Sequence, residues 1–309
     1  MLEKCVSSIF EHESSSNFEI IIVDQNSSDS SRQIIDLLAS VKINVKKIYL
    51  DENLGFAFAN NCGFSVSSGE YILIMNPDII LTENLFPKLL ENFQLNPELG
   101  AVCPLLLGMD NKFQFNYFQR YPSLTQYLLF HSLVSEPFRR SANLINRYLE
   151  NHDVNTASKS LQFVEQIPCA FLLTKRTVFE EAGKMDERYF LFFEDVDLCY
   201  QINKKYKLAV DPGLMVTHLG GSSIRNENNW WVYGRFIIGM NLFFDKNYNR
   251  FKSFLLKAIT IKNSLLIIFI EYLKRFLGKS DSYRLKKHIF FLGEFRKQYL
   301  GKYTKKARP

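Results

Sequence analysis

Short apolar runs that end in acidic or amide residues, separated by segments of helical period, constrain this chain more than any other feature. Phe18–Val23 (FEIIIV) is β-branched and apolar and stops at Asp24. Val45–Leu50 follows and leads into Asp51–Gly55, and Tyr71–Met75 (YILIM) is closed by Asn76–Pro77–Asp78. Gly100–Leu105 and Phe171–Thr174 read as further strands, and Leu208–Val210 and Leu214–His218 as two short ones. Between them Arg32–Leu38, Ala57–Ser67, Glu83–Phe93 and Arg176–Glu181 carry a helical period. Strands that alternate with helices predict an α/β fold with a mostly parallel sheet flanked by helices, and functional loops at the strands' carboxyl ends.

Charge divides the chain. Residues 246–309 hold 17 Lys and Arg against 3 Asp and Glu, a net +14, whereas residues 1–245 carry −8. We therefore expect a body over 1–245, with 110–165 as an insertion or acceptor-side lid containing Arg139, Arg140 and Arg147, and a basic helical tail over 246–309. The tail's apolar runs, such as Ser264–Ile270, are broken by Lys257, Lys262 and Glu271, so no window offers the roughly 20 uninterrupted apolar residues of a spanning helix. Lysines on one side and Phe, Leu and Ile on the other suit a helix lying on an anionic membrane surface. An ordinary amphipathic helix packed on the body is the plainer alternative. No helix-turn-helix, zinc-finger or RNA-binding motif is present, so nucleic acid is not expected as a partner. The five cysteines are widely spaced with no C-x-x-C pair, which points to a reducing compartment, and no secretory leader opens the chain.

Four constellations could carry chemistry. Asp78, after an apolar strand, faces the crevice where open α/β sheets bind ligands, and one carboxylate plus phosphate oxygens suits Mg²⁺ or Mn²⁺. A proline turn whose Asp caps a helix is the structural alternative. Glu194, Asp195 and Asp197 follow Phe192 and Phe193, and burial with like-charge crowding would raise their pKa values as a general base requires. On a helix, Glu194 and Asp197 share a face and Asp195 points elsewhere. An acidic first turn stabilised by the helix dipole explains the same residues. His218 ends a strand before Leu219–Gly220–Gly221–Ser222–Ser223 and can reach a metal or a phosphate, or be structural. Asp24 and Asn53, at strand ends, can hydrogen-bond a base and ribose, or simply shape turns.

Taken in order, these stretches resemble the inverting glycosyltransferases of family 2, which have the GT-A fold, and in particular the rhamnosyltransferase-like branch. The residues that carry the resemblance are Ile22–Asp29, Asn53–Phe56 with Asn60, Asn61 and Gly63, Met75–Asp78 in the N-P-D form of the family's D-x-D motif, Met185–Glu187 through Phe193–Leu198, and Val216–His218 through Ser222. They span about residues 2–245. The resemblance implies that Asp78 holds a divalent ion, with His218 as second ligand, and that Asp195 takes the proton from the acceptor hydroxyl, with Glu194 as its neighbour and substitute. Asp24, Gln25, Asn53, Asn61 and Asn76 would line the nucleotide-sugar site. It further implies a sugar, with rhamnose as one candidate, moved to a lipid-linked or polysaccharide acceptor in cell-surface glycan synthesis, in the cytoplasm at the inner face of the plasma membrane. Met1–Ile9 resembles the helix that follows the family's first strand, so that strand is expected to be missing. A shortened, non-catalytic glycosyltransferase-like binding protein is therefore the alternative. A sugar nucleotidyltransferase is disfavoured by the absence of an N-terminal G-x-G-x-R loop.

Overall fold

The computed structural model describes residues 1–13, 17–114, 117–132, 141–149, 154–220, 229–278 and 281–299. Of the features expected above, Gly221–Ser223, Arg139, Arg140 and residues 300–309 lie outside these. The chain forms two compact units: Met1–Tyr121 with Glu150–Glu187 and Glu194–Ser222, and Pro122–Leu149 with Arg188–Phe193 and Ser223–Pro309. The second unit thus begins well before residue 246 and draws in part of the 110–165 segment.

The first unit runs α1 (Leu2–His12), β1 (Ile20–Gln25), α2 (Ser31–Val41), β2 (Val45–Leu50), α3 (Phe56–Val66), β3 (Tyr71–Met75), β4 (Ile79–Leu81), α4 (Phe86–Leu95) and β5 (Leu99–Leu107). After the segment contributed to the second unit, where α5 (Leu124–Gln126) and α6 (Ala142–Tyr148) lie, it resumes with β6 (Gln162–Val164), β7 (Phe171–Lys175), α7 (Arg176–Glu181), α8 (Glu194–Ile202) and β8 (Lys207–His218). β1 and β2 pair in parallel as a two-stranded sheet. The other six strands form one sheet in the order β3-β7-β5-β8-β4, with β6 also on β8.

The expected α/β class, with helices flanking a sheet, is what the chain adopts. The expected predominance of parallel pairing is not. Among the described residues, β1–β2 and β5–β8 are parallel, whereas β3–β7, β5–β7, β4–β8 and β6–β8 are antiparallel. Strand runs buried on both faces carry no direction in their composition, and β7 and β8 enter the sheet through long connections that sequence spacing leaves open. The two short strands expected at 208–218 are one strand with a register shift between Asp211 and Met215. Pro212 lacks the N–H a ladder needs, and Gly213 tolerates the bend.

Alternation along β5 places a core on each face of the large sheet. Ala101, Cys103 and Leu105 meet Phe64, Phe179, Leu198 and Ile202, from α3, α7 and α8. Val102 and Leu106 meet Ile9, Leu85, Leu89 and Phe93, on the side of α1 and α4. All five cysteines are free. Among the described residues, β1 has a strand partner only on its β2 side and β3 only on its β7 side. Their apolar residues Ile20–Val23, Tyr71–Leu73 and Met75 stay half-buried, unlike those of β5.

The second unit holds three long helices, α9 (Asn229–Asn247), α10 (Arg250–Phe276) and α11 (Ser282–Tyr299). These three helices bear out the helical reading from Trp230 onward over the described residues they contain. Asn249 caps α10 by accepting from Lys252 N at 2.9 Å.

Candidate active site

β4 is short and its register decides the site. Ile79 pairs with His218, so Asp78, one residue earlier, comes beside the end of β8, and Leu219 N donates to Asp78 O at 3.1 Å. Asp78 Oδ1 lies 3.5 Å from His218 Nε2, and their side chains are only 8% and 2% exposed.

The loop after β5 folds back onto the same place. Gln114 N donates to Leu106 O at 3.0 Å, and the Gln114 amide grips His218 from behind. Its Nε2 donates to His218 O at 3.0 Å, which fixes its Oε1 toward His218 Nδ1, 2.8 Å away. An amide oxygen only accepts, so Nδ1 carries a hydrogen, and it is Nε2 that faces Asp78, as a lone pair whenever the ring is neutral. A lone pair and a carboxylate facing each other in a buried place need a proton or a cation between them. This donor set fits a small divalent ion. Among the described residues no three His, Cys, Asp or Glu side chains gather as a metal cluster, so the two would leave most coordination positions to diphosphate oxygens and water.

Tyr117 packs against this pair. Its ring stands edge-on to His218 at 5.0 Å between centroids. Burial, then the charges of Asp78 and Asp195, push its hydroxyl above its ordinary pKa, so both carboxylates act on one phenol. Gly220 has φ +66°, where a side chain would be strained, and its Cβ position is 3.6 Å from Tyr117 Oη.

Asp195 is on the first turn of α8 and half-buried, with Oδ1 accepting from Val196 N at 2.8 Å. Glu194 and Asp197 are buried, so the helix divides the three carboxylates as the i, i+3 spacing predicts. Burial raises the Asp195 carboxyl above its ordinary range. Glu194 is pushed up to about 8, by burial first and by Asp195 next, and its Oε2 has no hydrogen-bond partner. Just before them Phe192 and Phe193 have φ of +67° and +71°. Two consecutive bulky residues in the left-handed region are strained and persist only where their surroundings hold them.

The expected nucleotide residues form separate groups. Asp24 is buried at the end of β1 and accepts from Arg32 Nε at 2.9 Å and Ser27 N at 3.2 Å. Burial raises its carboxyl, but Ser27 and Arg32 outweigh that and leave it low. Gln25 Oε1 accepts from Leu54 N at 3.0 Å, joining the loops after β1 and β2, and Asn53 Oδ1 accepts from Gly55 N at 3.0 Å. Asn61 spends its amide on Met185 O at 2.8 Å, Glu187 Oε1 at 3.1 Å and Met185 N at 3.2 Å, clasping α3 to the 185–187 stretch. Asn76 is half-buried, and its carbonyl accepts from Cys5 Sγ at 3.8 Å. Burial and then Asp78 push the Cys5 thiol up to about 12. A shallow cleft of about 180 Å³ lined by Arg120, Glu165, Asn203 and Lys207 contains none of these residues.

Gln114 and Tyr117 were missed from the sequence because 110–165 reads as an irregular insertion. The signal available was their place just after a buried strand.

Comparison with known proteins identifies the family and the fold. Residues 1–163, just over half of the chain, match the model of glycosyl transferase family 2. The chain belongs to that family. It is 37% identical over 93 residues to glycosyltransferase GlyG of Streptococcus pneumoniae, covering 30% of this chain and 31% of that protein. It is 36% identical over 86 residues to the poly-beta-1,6-N-acetyl-D-glucosamine synthase of Staphylococcus aureus, covering 27% of this chain and 20% of the synthase. The matches thus span a third or less of these relatives. Among solved structures, the mannosyltransferase PcManGT from Pyrobaculum calidifontis, in complex with GDP-Man and Mn²⁺, superposes with a TM-score of 0.52 at 13% identity, over 97% of this chain and 84% of that one. GalNAc-T7 with UDP, GalNAc and Mn²⁺ gives 0.51 at 13% identity, over 70% and 40%. The fold is that of the GT-A glycosyltransferases.

Proposed function

We propose that this chain is a metal-dependent inverting glycosyltransferase. It transfers a sugar from a nucleotide-diphosphate donor to a glycan or lipid-linked acceptor in cell-surface glycan synthesis. The observation that supports this is the buried Asp78–His218 pair, with Tyr117 packed against the imidazole and Gln114 behind it. Asp78 and His218 Nε2 would hold Mg²⁺ or Mn²⁺, which neutralises charge on a departing diphosphate. Gln114 keeps the imidazole in the tautomer that presents Nε2. Asp195, raised but partly open, accepts the proton of the attacking hydroxyl, and a single displacement inverts the anomeric carbon. Glu194, protonated beside it, keeps a second negative charge out of the same place. Asp24, Gln25 and Asn53 are the nucleotide side of the site, whereas Asn61 positions the 185–187 stretch.

The N-P-D form at Met75–Asp78, which resembles the rhamnosyltransferase-like branch, makes a rhamnosyl nucleotide the first donor to test. Donor hydrolysis across a panel of nucleotide sugars, with Mn²⁺ and with chelator, checks the reading. Turnover that persists in chelator would remove the metal, and full activity of folded Asp195→Ala would remove the base.

A glycosyltransferase-like binding protein without turnover is the second reading. Calorimetric titration that detects no nucleotide sugar on the folded chain would favour this alternative.

A further inference from the structure

α10 is built inside out. Its inward face is Ser253, Leu256, Thr260, Ser264, Ile267 and Glu271, all buried and mostly small or polar. They are satisfied there: Ser264 Oγ meets His288 Nδ1 at 3.0 Å, and Glu271 accepts from Asp281 N at 2.8 Å and pairs with Lys274 at 3.2 Å. The opposite face carries Phe251, Phe254, Leu265, Phe269, Tyr272 and Phe276, between 47% and 89% exposed. Their spacing of three, four, seven and eleven residues makes one continuous stripe. A helix that turns polar residues inward and aromatics outward is adapted to an apolar surrounding on its outer side.

We propose that this stripe lies flat in the interface of an anionic bilayer. This rests on the glycosyltransferase reading only for its purpose, and it defines where such an enzyme would meet a lipid-linked acceptor. Charge selects the occupant. Glu271 is the one acidic residue of α10 and it is turned inward, so the outward surface is aromatic, aliphatic and basic, with Arg250, Lys252, Lys262 and Arg275 exposed. Lys262 falls within the apolar stripe. A lysine can lift its ammonium from an interface to the headgroups. Buried against a second copy of this helix, it would find no carboxylate on the facing stripe. By length and composition the helix could cross a membrane. Spanning would, however, put Lys257, Lys262 and the ion-paired Glu271 into hydrocarbon, which is costly.

Flotation of the whole chain with vesicles of phosphatidylcholine, with and without phosphatidylglycerol, tests this. Binding is expected to be at least about tenfold stronger with the anionic lipid and to weaken as salt rises. The Phe254→Glu/Phe269→Glu variant, altered only at exposed positions, should lose flotation about tenfold or more while keeping its helical circular dichroism. Absence of wild-type flotation, or a folded variant that floats as well, would overturn the proposal. A wild-type dimer that the variant converts to a lipid-indifferent monomer would assign the stripe to a second copy instead. The wild-type salt and lipid arms need no variant. Donor hydrolysis without vesicles reports separately on the enzyme reading.

Discussion

Asp78 Oδ1 and His218 Nε2 stand 3.5 Å apart in a buried place, on chain segments 140 residues apart that the Ile79–His218 register brings together. Gln114 behind the imidazole selects which nitrogen faces the carboxylate. Replacing the supporting partner of a metal-binding histidine typically weakens metal affinity about 10–100-fold. Gln114→Leu is therefore expected to weaken Mn²⁺ binding by that factor, and Asp78→Ala and His218→Ala by more. Titration of free Mn²⁺ by electron paramagnetic resonance checks this without any turnover. Unchanged affinity in all three variants would dismiss the pair as a metal site.

Asp195 should govern the chemical step. Asp195→Asn is expected to lower kcat about 10²–10⁴-fold with the donor KM nearly unchanged. Because burial raises this carboxyl, wild-type kcat should rise with pH through a value above that of an ordinary aspartate. The variant should lack that limb. Rate–pH profiles of both proteins decide it.

Glu194 should make the fold less stable as pH rises. Its folded pKa of about 8 lies above the usual 4.5, so its neutral form is favoured on folding. The stability it contributes is complete below about pH 4.5 and is lost as pH rises through 8. Glu194→Gln keeps the neutral shape without the titration, and should stabilise the protein at pH 8 by on the order of a few kcal/mol. Urea unfolding at pH 5 and pH 8 measures it, and the variant's advantage should vanish at the lower pH.

Gly239 supports the strained pair before Glu194. A Cβ there would lie 2.9 Å from both Phe192 O and Phe193 Cδ2. Alanine would gain about 1 kcal/mol of helix propensity. Overpacking costs about 1–3 kcal/mol and falls on a backbone already at positive φ. Gly239→Ala should therefore destabilise on balance and lower kcat as well, since it pushes on the residues that lead into Asp195. Urea midpoints beside kcat test this; a stabilised, fully active variant would contradict it.

Much of the architecture is legible in the residues. Val45–Leu50, Tyr71–Met75 and Arg176–Glu181 occupy the spans that periodicity predicts. The i, i+3 spacing of Glu194 and Asp197 likewise anticipates which carboxylates are buried. These features are local, and local steric and apolar patterns decide them. Strand direction in the large sheet is not local, and neither is the joining of 207–218 into one bulged strand. Gln114 and Tyr117 reach His218 only through the folding back of the loop after β5, which no local pattern encodes.

The sequence by itself determined the strand–helix alternation, the acidic strand ends, the family and the basic surplus of the last 64 residues, because each is written in neighbouring residues. The tertiary structure decided which carboxylates share a place and which face of α10 is left outward. Pairing register and packing between distant segments set both, and no single segment encodes them.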